Sequence, residues 1–584
     1  MERDILLLDE NTSTADAARM MQHRKRDDII VTSDGKAVGI VTDEDIISKV
    51  SDVNVTAEKT RLKEIMNYPL ITVYQDASLQ KALHIMRDND IRKLPVLSLN
   101  HEVIGIIYQV TIANVIRDAT ATQPRLISPP IKAILGNLGF VLQFAGVLLL
   151  VPAILATVLG DTVTATGIYL TTVLLLVTGF FLNSYGEKAS LNLQQASILV
   201  FASLFILTLF GTIPYLYVAP VAAESNVEFF ANSFFSSAAG FTTGGLTLID
   251  KPEELPQSFT FYRSYTQLVG GMSFIYLVLT AFYSESKLQS MRGFLTGRTL
   301  HLRELFATIT IIFTVYVIIV AVLLYLFGER NIIDNFSLAM STLSTGGFVP
   351  TSTILEGLIW QEHLVLIAAM ILGALPFTFH YAFVRKKFLS PQLGTEILIY
   401  FGVLAIGILL FVWLSGSDIL FGAFHAVSAS TTTGNQQSGL LSVDIAPKII
   451  LIILMLVGGC GFSTAGGIKI FRFFSLVHIK SMLNKNTRAQ LPIENKKELL
   501  TSLIIIALFP ILTLLGSFTL MSEGHTFGDS FFDATAAITT GGLSTDAISL
   551  KSDSATKMIF AFLMIIGRLE IIAIIYIFLP KLST

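Results

Sequence analysis

Two hydrophobic patterns divide the chain. Up to about residue 120, short apolar stretches alternate with polar ones at the spacing of small helices and strands. Ser13–Arg24 carries Ala17, Met20 and Met21 at helical spacing behind Ser and Thr caps. Ile29–Val31 and Val38–Val41 are strand-like around a turn at Ser33-Asp34-Gly35. The order then recurs: Leu79–Met86 reads as a helix, and Leu94–Leu97 and Val103–Ile107 read as strands around Ser98–Asn100. This tandem βαβ-type unit of about 60 residues predicts one small two-lobed α/β domain over residues 1–120.

From Ile134 onward the polar positions almost vanish. Runs of roughly 20 apolar residues, long enough to span a bilayer, lie at 134–159, 164–183, 196–219, 261–283, 305–328, 361–384, 396–414, 447–470, 499–521 and 558–580. An even number of spans puts both termini on one side. Sixteen Lys and Arg residues near the span ends fall on that side and six on the other, which makes it the cytosol. The opening MERDILLLDE lacks a signal-peptide core, consistent with a cytosolic first domain. Residues 121–133, with Pro124, Pro129 and Pro130, read as a stiff linker to a multi-pass membrane domain over 134–582.

Charge follows the same division. Lys, Arg, Asp and Glu make up 35 of the first 125 residues (28%) and 48 of the remaining 459 (about 10%). The net charge of −3 disfavours nucleic acid as a partner, and membrane lipid is the expected surrounding of the second part. A single cysteine, Cys460, excludes a disulfide framework. No catalytic triad, phosphate-binding loop or metal cluster is present, so no enzymatic activity is expected.

The few polar stretches in the apolar part repeat. FSSAAGFTTGG (Phe235–Gly245), FSLAMSTLSTG (Phe336–Gly346), FHAVSASTTTG (Phe424–Gly434) and FDATAAITTGG (Phe532–Gly542) each run from a Phe to a Gly and each lie between two spans. The expected unit is span, short pore helix of seven to nine residues, Thr/Ser/Gly turn, span, four times after a leading pair. Such a short helix must re-enter the membrane, and irregular backbone at that depth is tolerated where it lines a path or is buried in protein. Four turns around one pseudo-fourfold axis would form a ring of carbonyls able to replace the hydration shell of a monovalent cation, assisted by the partly negative helix C-termini. Close packing of small residues is the alternative role for one such loop.

Gly458–Gly467 holds five glycines (Gly458, Gly459, Gly461, Gly466 and Gly467) inside an apolar run, so this span should break. Arg568, well inside the last span, needs a partner; carbonyls of 458–467 or Glu570 are the candidates. Lys469 reads equally as a cytosolic anchor or as part of the same assembly. His425 and Asp533 each follow a pore-helix Phe and are read as anchors of the short helices, with cation attraction the alternative.

Several stretches carry a resemblance to the Trk/Ktr/HKT superfamily of potassium transporters: Phe261–Met272 (FYRSYTQLVGGM), Ser430–Asn435 (STTTGN), Gly458–Lys469 (GGCGFSTAGGIK) and Gly567–Ile571 (GRLEI). The resemblance implies potassium uptake at the cell membrane without a required cofactor. It maps one filter glycine per loop onto Gly245, Gly346, Gly434 and Gly542, where potassium would be coordinated. Thr243, Gly244, Ser344, Thr345, Thr432, Thr433, Thr540 and Gly541 would add further oxygens. It makes 458–467 an intramembrane gate with Arg568 and Lys469. It also implies a homodimer and a separate cytosolic nucleotide-binding ring as partners. Gly rather than Ser at 245 implies potassium over sodium; sodium or mixed monovalent transport is the alternative. The first 120 residues resemble a CBS (cystathionine-β-synthase-type) domain pair through GIVTDED (Gly39–Asp45). There Thr42 and Asp45 would meet the phosphate and ribose of an adenine nucleotide such as AMP, ADP or ATP at a helix N-terminus; a helix N-cap is the alternative for Thr42. The second copy has Tyr108 and Thr111 where the motif has Thr and Asp. A membrane-anchored CBS nucleotide sensor is the reading outside transport.

Overall fold

The computed structural model describes residues 5–24, 26–51, 57–112, 115, 129–187, 191–282, 302–384, 391–440, 443–476 and 493–569. The linker segment 121–128, Glu570, Ile571 and the end of the last span lie outside the described residues. So do Lys188, Lys287, Arg292, Arg298, Arg385, Lys386, Lys387, Lys480, Lys485, Arg488 and Lys581, which carry most of the orientation argument. The chain forms two compact units, Met1–Ile127 and Ser128–Thr584.

The first unit is a structural duplication. Strands β1 (Leu7–Asp9), β2 (Asp28–Ser33) and β3 (Lys36–Thr42) form one sheet, with helices α1 (Thr14–Arg24), α2 (Asp43–Ser51) and α3 (Leu62–Ile65) around it. Strands β4 (Val73–Tyr74), β5 (Lys93–Leu97) and β6 (Val103–Tyr108) form the other, with α4 (Leu79–Asp88). Both sheets have a parallel first pair and an antiparallel second pair. Both also shift register at the matching place, Val31/Thr32 and Val96/Leu97. Alternation of apolar residues places Ile29, Val31 and Val41 in one small core and Leu94 and Val96 in another.

The second unit opens with the helix pair α5 (Pro129–Val158) and α6 (Thr162–Tyr185). Four helix–short helix–helix repeats follow. The first is α7 (Leu193–Val218), α8 (Asn226–Phe241) and α9 (Gln257–Phe282). The second is α10 (Leu302–Phe327), α11 (Ile332–Leu343), α12 (Trp360–Ala374) and α13 (Phe377–Val384). The third is α14 (Pro391–Ser415), α15 (Ile419–Ser430), α16 (Ile445–Val457) and α17 (Ile470–Ser475). The fourth is α18 (Ile493–Ser522), α19 (Phe527–Ile538) and α20 (Ser554–Arg568). Among the described residues, six helices are long and apolar enough to cross a membrane, or seven with the bent pair α12–α13 counted as one.

Two features differ from expectation and a third agrees with it. The short helices run 12 to 16 residues rather than seven to nine, because each starts earlier, at a side-chain cap. Ser225, Asn331, Asp418 and Thr526 accept the first free N–H groups. At about 1.5 Å per residue they still fall short of a span. The run 361–384 is no single helix: it turns by 106° between α12 and α13. Pro376 supplies no N–H and forces Leu375 into an extended conformation (φ −81°, ψ 151°), which ends the helix. The run 447–470 breaks as its glycines predict, with α16 ending at Val457.

Consecutive repeats are joined cyclically, at three joints through the first turn of a short helix. Gln257 Nε2 donates to Asp334 (3.2 Å), Lys448 faces Asp529 (3.5 Å) and Lys557 faces Glu228 (3.7 Å). At the remaining joint the His363 ring sits edge-on to Phe424, 5.4 Å between centroids. The three polar contacts place their acid, Asp334, Asp529 or Glu228, where the helix macrodipole favours it.

The second spans also pack directly on the short helices through glycine. A Cβ built on Gly270, Gly373 or Gly567 would lie 2.1, 2.7 or 1.8 Å from the carbonyl oxygen of Phe241, Leu343 or Ile538 respectively. Gly567→Ala is therefore expected to destabilise the folded protein by more than about 2 kcal/mol through overpacking. Gly402→Ala, with nothing within 4 Å, should leave it unchanged or slightly more stable. Thermal unfolding of the detergent-solubilised chain separates the two; equal melting temperatures would contradict the packing.

Candidate cation site

The four short helices end in the same way. After the caps Thr242, Ser344, Thr431 and Thr539, the next residue turns to positive φ: Thr243 (55°), Thr345 (56°), Thr432 (52°) and Thr540 (50°). The N–H of each donates to the carbonyl three residues back, at 3.0–3.1 Å. The N–H of the following residue (Gly244, Gly346, Thr433 or Gly541) donates to the carbonyl five back, at 2.7–2.9 Å. This is a Schellman closure, which normally places Gly at the left-handed position. A β-branched residue there is strained by about 1–3 kcal/mol, yet Thr stands there four times.

Two residues beyond each Thr, Gly245 (φ 72°), Gly347 (80°), Gly434 (85°) and Gly542 (68°) are again left-handed. The second loop thus lies one residue later than the Phe-to-Gly count expects. Gly347, not Gly346, matches the other three glycines, and Ser337, not Phe336, matches the other phenylalanines. Ser344 also leaves the set, because it is the helix cap and its Oγ donates to Met340 O at 2.7 Å.

The four loops meet in cyclic order. A Cβ built on Gly245 would lie 2.6 Å from Gly346 O, one on Gly347 2.3 Å from Thr433 O, one on Gly434 3.0 Å from Gly541 O, and one on Gly542 3.4 Å from Gly244 O. Each left-handed glycine therefore packs on the carbonyl of the next loop's middle residue, and the fourth returns to the first. Gly245 and Gly434 also approach Gly542 Cα, each at 2.7 Å from the built Cβ. Only glycine fits such a ring. Behind it, Gln267 from α9 donates from Nε2 to Gly346 O (2.7 Å) and accepts at Oε1 from Phe348 N–H (3.3 Å).

Two residues suggested as anchors are found bonded to the loops. His425 Nδ1 is 2.8 Å from Phe421 O, and its Nε2 accepts from Gln437 N–H at 3.1 Å. The buried Asp533 carboxylate accepts from Thr545 N–H (2.7 Å), Ile548 N–H (3.0 Å) and the hydroxyls of Ser544 and Thr545.

The glycine-rich segment 458–467 lies against the left-handed threonines. Gly458 starts it with φ 65°, ψ −166°, a conformation essentially confined to glycine. Thr464 O accepts both Thr345 Oγ1 (2.8 Å) and Arg568 Nη1 (2.5 Å), and Gly466 N–H donates to Thr432 Oγ1 (2.6 Å). A Cβ built on Gly466 would lie 2.0 Å from Thr539 O. The segment thus touches the second, third and fourth loops. Arg568 is buried, with its guanidinium also 4.4 Å from the centroid of the Phe274 ring. Of its two expected partners, a carbonyl of 458–467 is found, whereas Glu570 lies outside the described residues. Lys469 is buried rather than exposed at an edge, and Nζ bonds Ala465 O. Glu396 of α14, which sequence reasoning missed, accepts Gly461 N–H at 2.6 Å; its 65-residue separation from that glycine leaves no local signal.

In the first unit, Thr42 and Asp45 cap one another. Thr42 N–H and Oγ1 donate to Asp45 Oδ2 (2.9 and 2.7 Å), and Asn67 Nδ2 donates to the same carboxylate. Tyr108, in the divergent second motif, ties the two lobes: its hydroxyl donates to the fully buried Asp28 (2.7 Å), which Lys93 also faces at 3.5 Å.

The arrangement defines a class: a polytopic helical membrane protein whose four re-entrant segments converge on one ring, carrying an N-terminal α/β domain pair. Comparison with known proteins agrees. The family model described as TrkH, cation transport protein, matches residues 167–393 and 396–583, and the CBS domain model matches 1–52 and 62–118. An uncharacterized cation transporter (MJ1485) of Methanocaldococcus jannaschii is 26% identical over 78% of this chain and 96% of its own length. The Trk system potassium uptake protein TrkG of Escherichia coli is 28% identical over 61% and 80%. The crystal structure of the potassium transporter TrkH from Vibrio parahaemolyticus superposes with a TM-score of 0.64 at 22% identity, covering 77% of this chain and 99% of that one. The chain belongs to the TrkH family of cation transport proteins. It is a transporter, not an enzyme.

The two bonded threonines and the two others make a stability test. Thr432→Val leaves the buried Gly466 N–H without its acceptor, which costs about 1–3 kcal/mol. Thr243→Val, whose hydroxyl has no protein partner among the described residues, should be nearly neutral. Equal thermal destabilisation of the purified chain would refute the assigned bonds.

Proposed function

We propose that this protein carries potassium ions into the cell through the four-loop ring, with 458–467 as its gate. The cyclic packing of Gly245, Gly347, Gly434 and Gly542 on the neighbouring carbonyls is the observation that carries this reading. A ring of backbone oxygens at the C-terminal ends of four helices suits a weakly hydrated monovalent cation. Relatives named as potassium uptake proteins support potassium as the cargo. The filter set is then Thr243, Gly244, Gly245, Thr345, Gly346, Gly347, Thr432, Thr433, Gly434, Thr540, Gly541 and Gly542. The ring faces outward and the CBS pair lies in the cytosol.

In this reading Arg568 holds a positive charge against the gate through Thr464 O, and Lys469 and Glu396 fix the same segment from other sides. Proteoliposomes containing the full chain should take up potassium in preference to sodium, and Arg568→Ala should raise the initial rate several-fold by loosening the barrier. The absence of any monovalent cation flux from the wild type would refute transport by this ring, and an unchanged Arg568→Ala rate would refute the gate.

Regulation is assigned to an adenine nucleotide at Thr42 and Asp45. Their present bond would be exchanged for phosphate and ribose contacts at the start of α2, and differential affinity for two arrangements would bias transport. Titration of the full chain with ATP, ADP and AMP should show saturable binding that weakens at least about tenfold in Asp45→Asn, the loss of roughly one charged hydrogen bond. Binding that is unaffected by the substitution would remove the site from this position.

A further inference from the structure

The four second spans align by the glycines that pack on or follow the short helices: Gly270, Gly373, Gly458 and Gly567. Three residues before them stand Gln267, Met370, Met455 and Met564, all fully buried. This position backs the ring. A Cβ built on Gly244 would meet Met564 Sδ at 2.3 Å, one on Gly541 would meet Met455 Sδ at 2.7 Å, and one on Gly346 would meet Gln267 Cδ at 2.3 Å. Three of the four second spans thus supply a backstop to the middle residue of the next loop, two through a thioether and one through an amide.

The replacement changes the chemistry. A thioether offers no donor, whereas the Gln267 amide donates to Gly346 O and accepts from Phe348 N–H. Its two partners, one carbonyl and one N–H, fix which way the amide points. Gly346 O is one of the four ring carbonyls, the one against which Gly245 packs at 2.6 Å from a built Cβ. Among the described residues, the hydrogen bonds to ring carbonyls include a side-chain donor at this one.

We propose that Gln267 is a specificity-determining positioning residue: by clamping the backbone of 346–348 it keeps the ring from contracting onto a smaller ion. The proposal rests on the reading of the ring as a potassium filter. A carbonyl held from behind moves inward less readily and shares its lone pairs with the amide, so both its reach and its field are limited. A methionine at 267 would match the thioether backstops at 455 and 564 and release the Gly346 carbonyl, letting the ring close on sodium.

The test compares wild type, Gln267→Met and Gln267→Leu as full-length protein in proteoliposomes, measuring initial potassium and sodium influx and the melting temperature of the same preparations in potassium and in sodium. Gln and Met have similar volumes, so folding should survive. The expected result is a potassium-to-sodium flux ratio reduced about threefold to tenfold in both variants, the equivalent of one buried hydrogen bond. A smaller difference between the two melting temperatures should accompany it. A ratio unchanged in variants that merely melt lower would assign Gln267 a structural role only and overturn the proposal. A wild type without preference for potassium would instead overturn the filter reading, and the proposal with it.

Discussion

Four helices that must end at membrane depth set the constraint from which the rest of this structure follows. A helix C-terminus leaves carbonyls without intrahelical partners, and no bulk water is at hand to satisfy them. The Schellman closures at Thr243, Thr345, Thr432 and Thr540 turn the N–H groups of these threonines and of the residue after each back onto the helix. The carbonyls beyond the turn then meet the neighbouring loop, and the left-handed glycine there is the one residue small enough to accept that approach. Helix termination and ring formation are in this sense one event. Threonine at the turn adds a hydroxyl, and the second and third loops use it to hold the glycine-rich segment.

Most of this organisation was readable from residue pattern. The change in charge near residue 125, the recurrence of Phe and Thr/Gly stretches and the duplicated strand order each have a direct physical cause. Register within the second loop was not readable. Phe336 is a tempting anchor and Gly346-Gly347 offers two candidates; backbone conformation decides between them. The turn at Leu375–Pro376 escaped because hydropathy does not drop there, although Pro376 alone was a sufficient warning. Gln267 and Glu396 were invisible as contacts because their partners lie 79 and 65 residues away. The Thr42–Asp45 pair was legible as a motif, with a helix N-cap as the alternative for Thr42, whereas the bond from Asn67 to the same carboxylate had no signal in the motif.

The same residue type leads to opposite outcomes in equivalent places. Gly270, Gly373 and Gly567, all helical, let their spans approach the carbonyl of their own short helix. Gly458 ends its helix, because four further glycines follow within nine residues and nothing local favours resuming the helix before Ile470. The released segment is nevertheless well ordered by contacts. Arg568, Thr345, Thr432, Lys469 and Glu396 all bond its backbone, and Phe377 at the start of α13 donates its N–H to Phe462 O at 2.8 Å. The bend after Pro376 and the break after Val457 therefore meet each other.

The four repeats share one polypeptide, and that has a genetic meaning. In a ring assembled from four copies of a single subunit, any codon change appears four times, so every position must suit all four quadrants at once. Here each quadrant has its own codons. One backstop can become an amide while others remain thioethers, and one span can bend at a proline while another opens at its glycines. Tandem duplication thus frees selection to act on a single quarter of the ring.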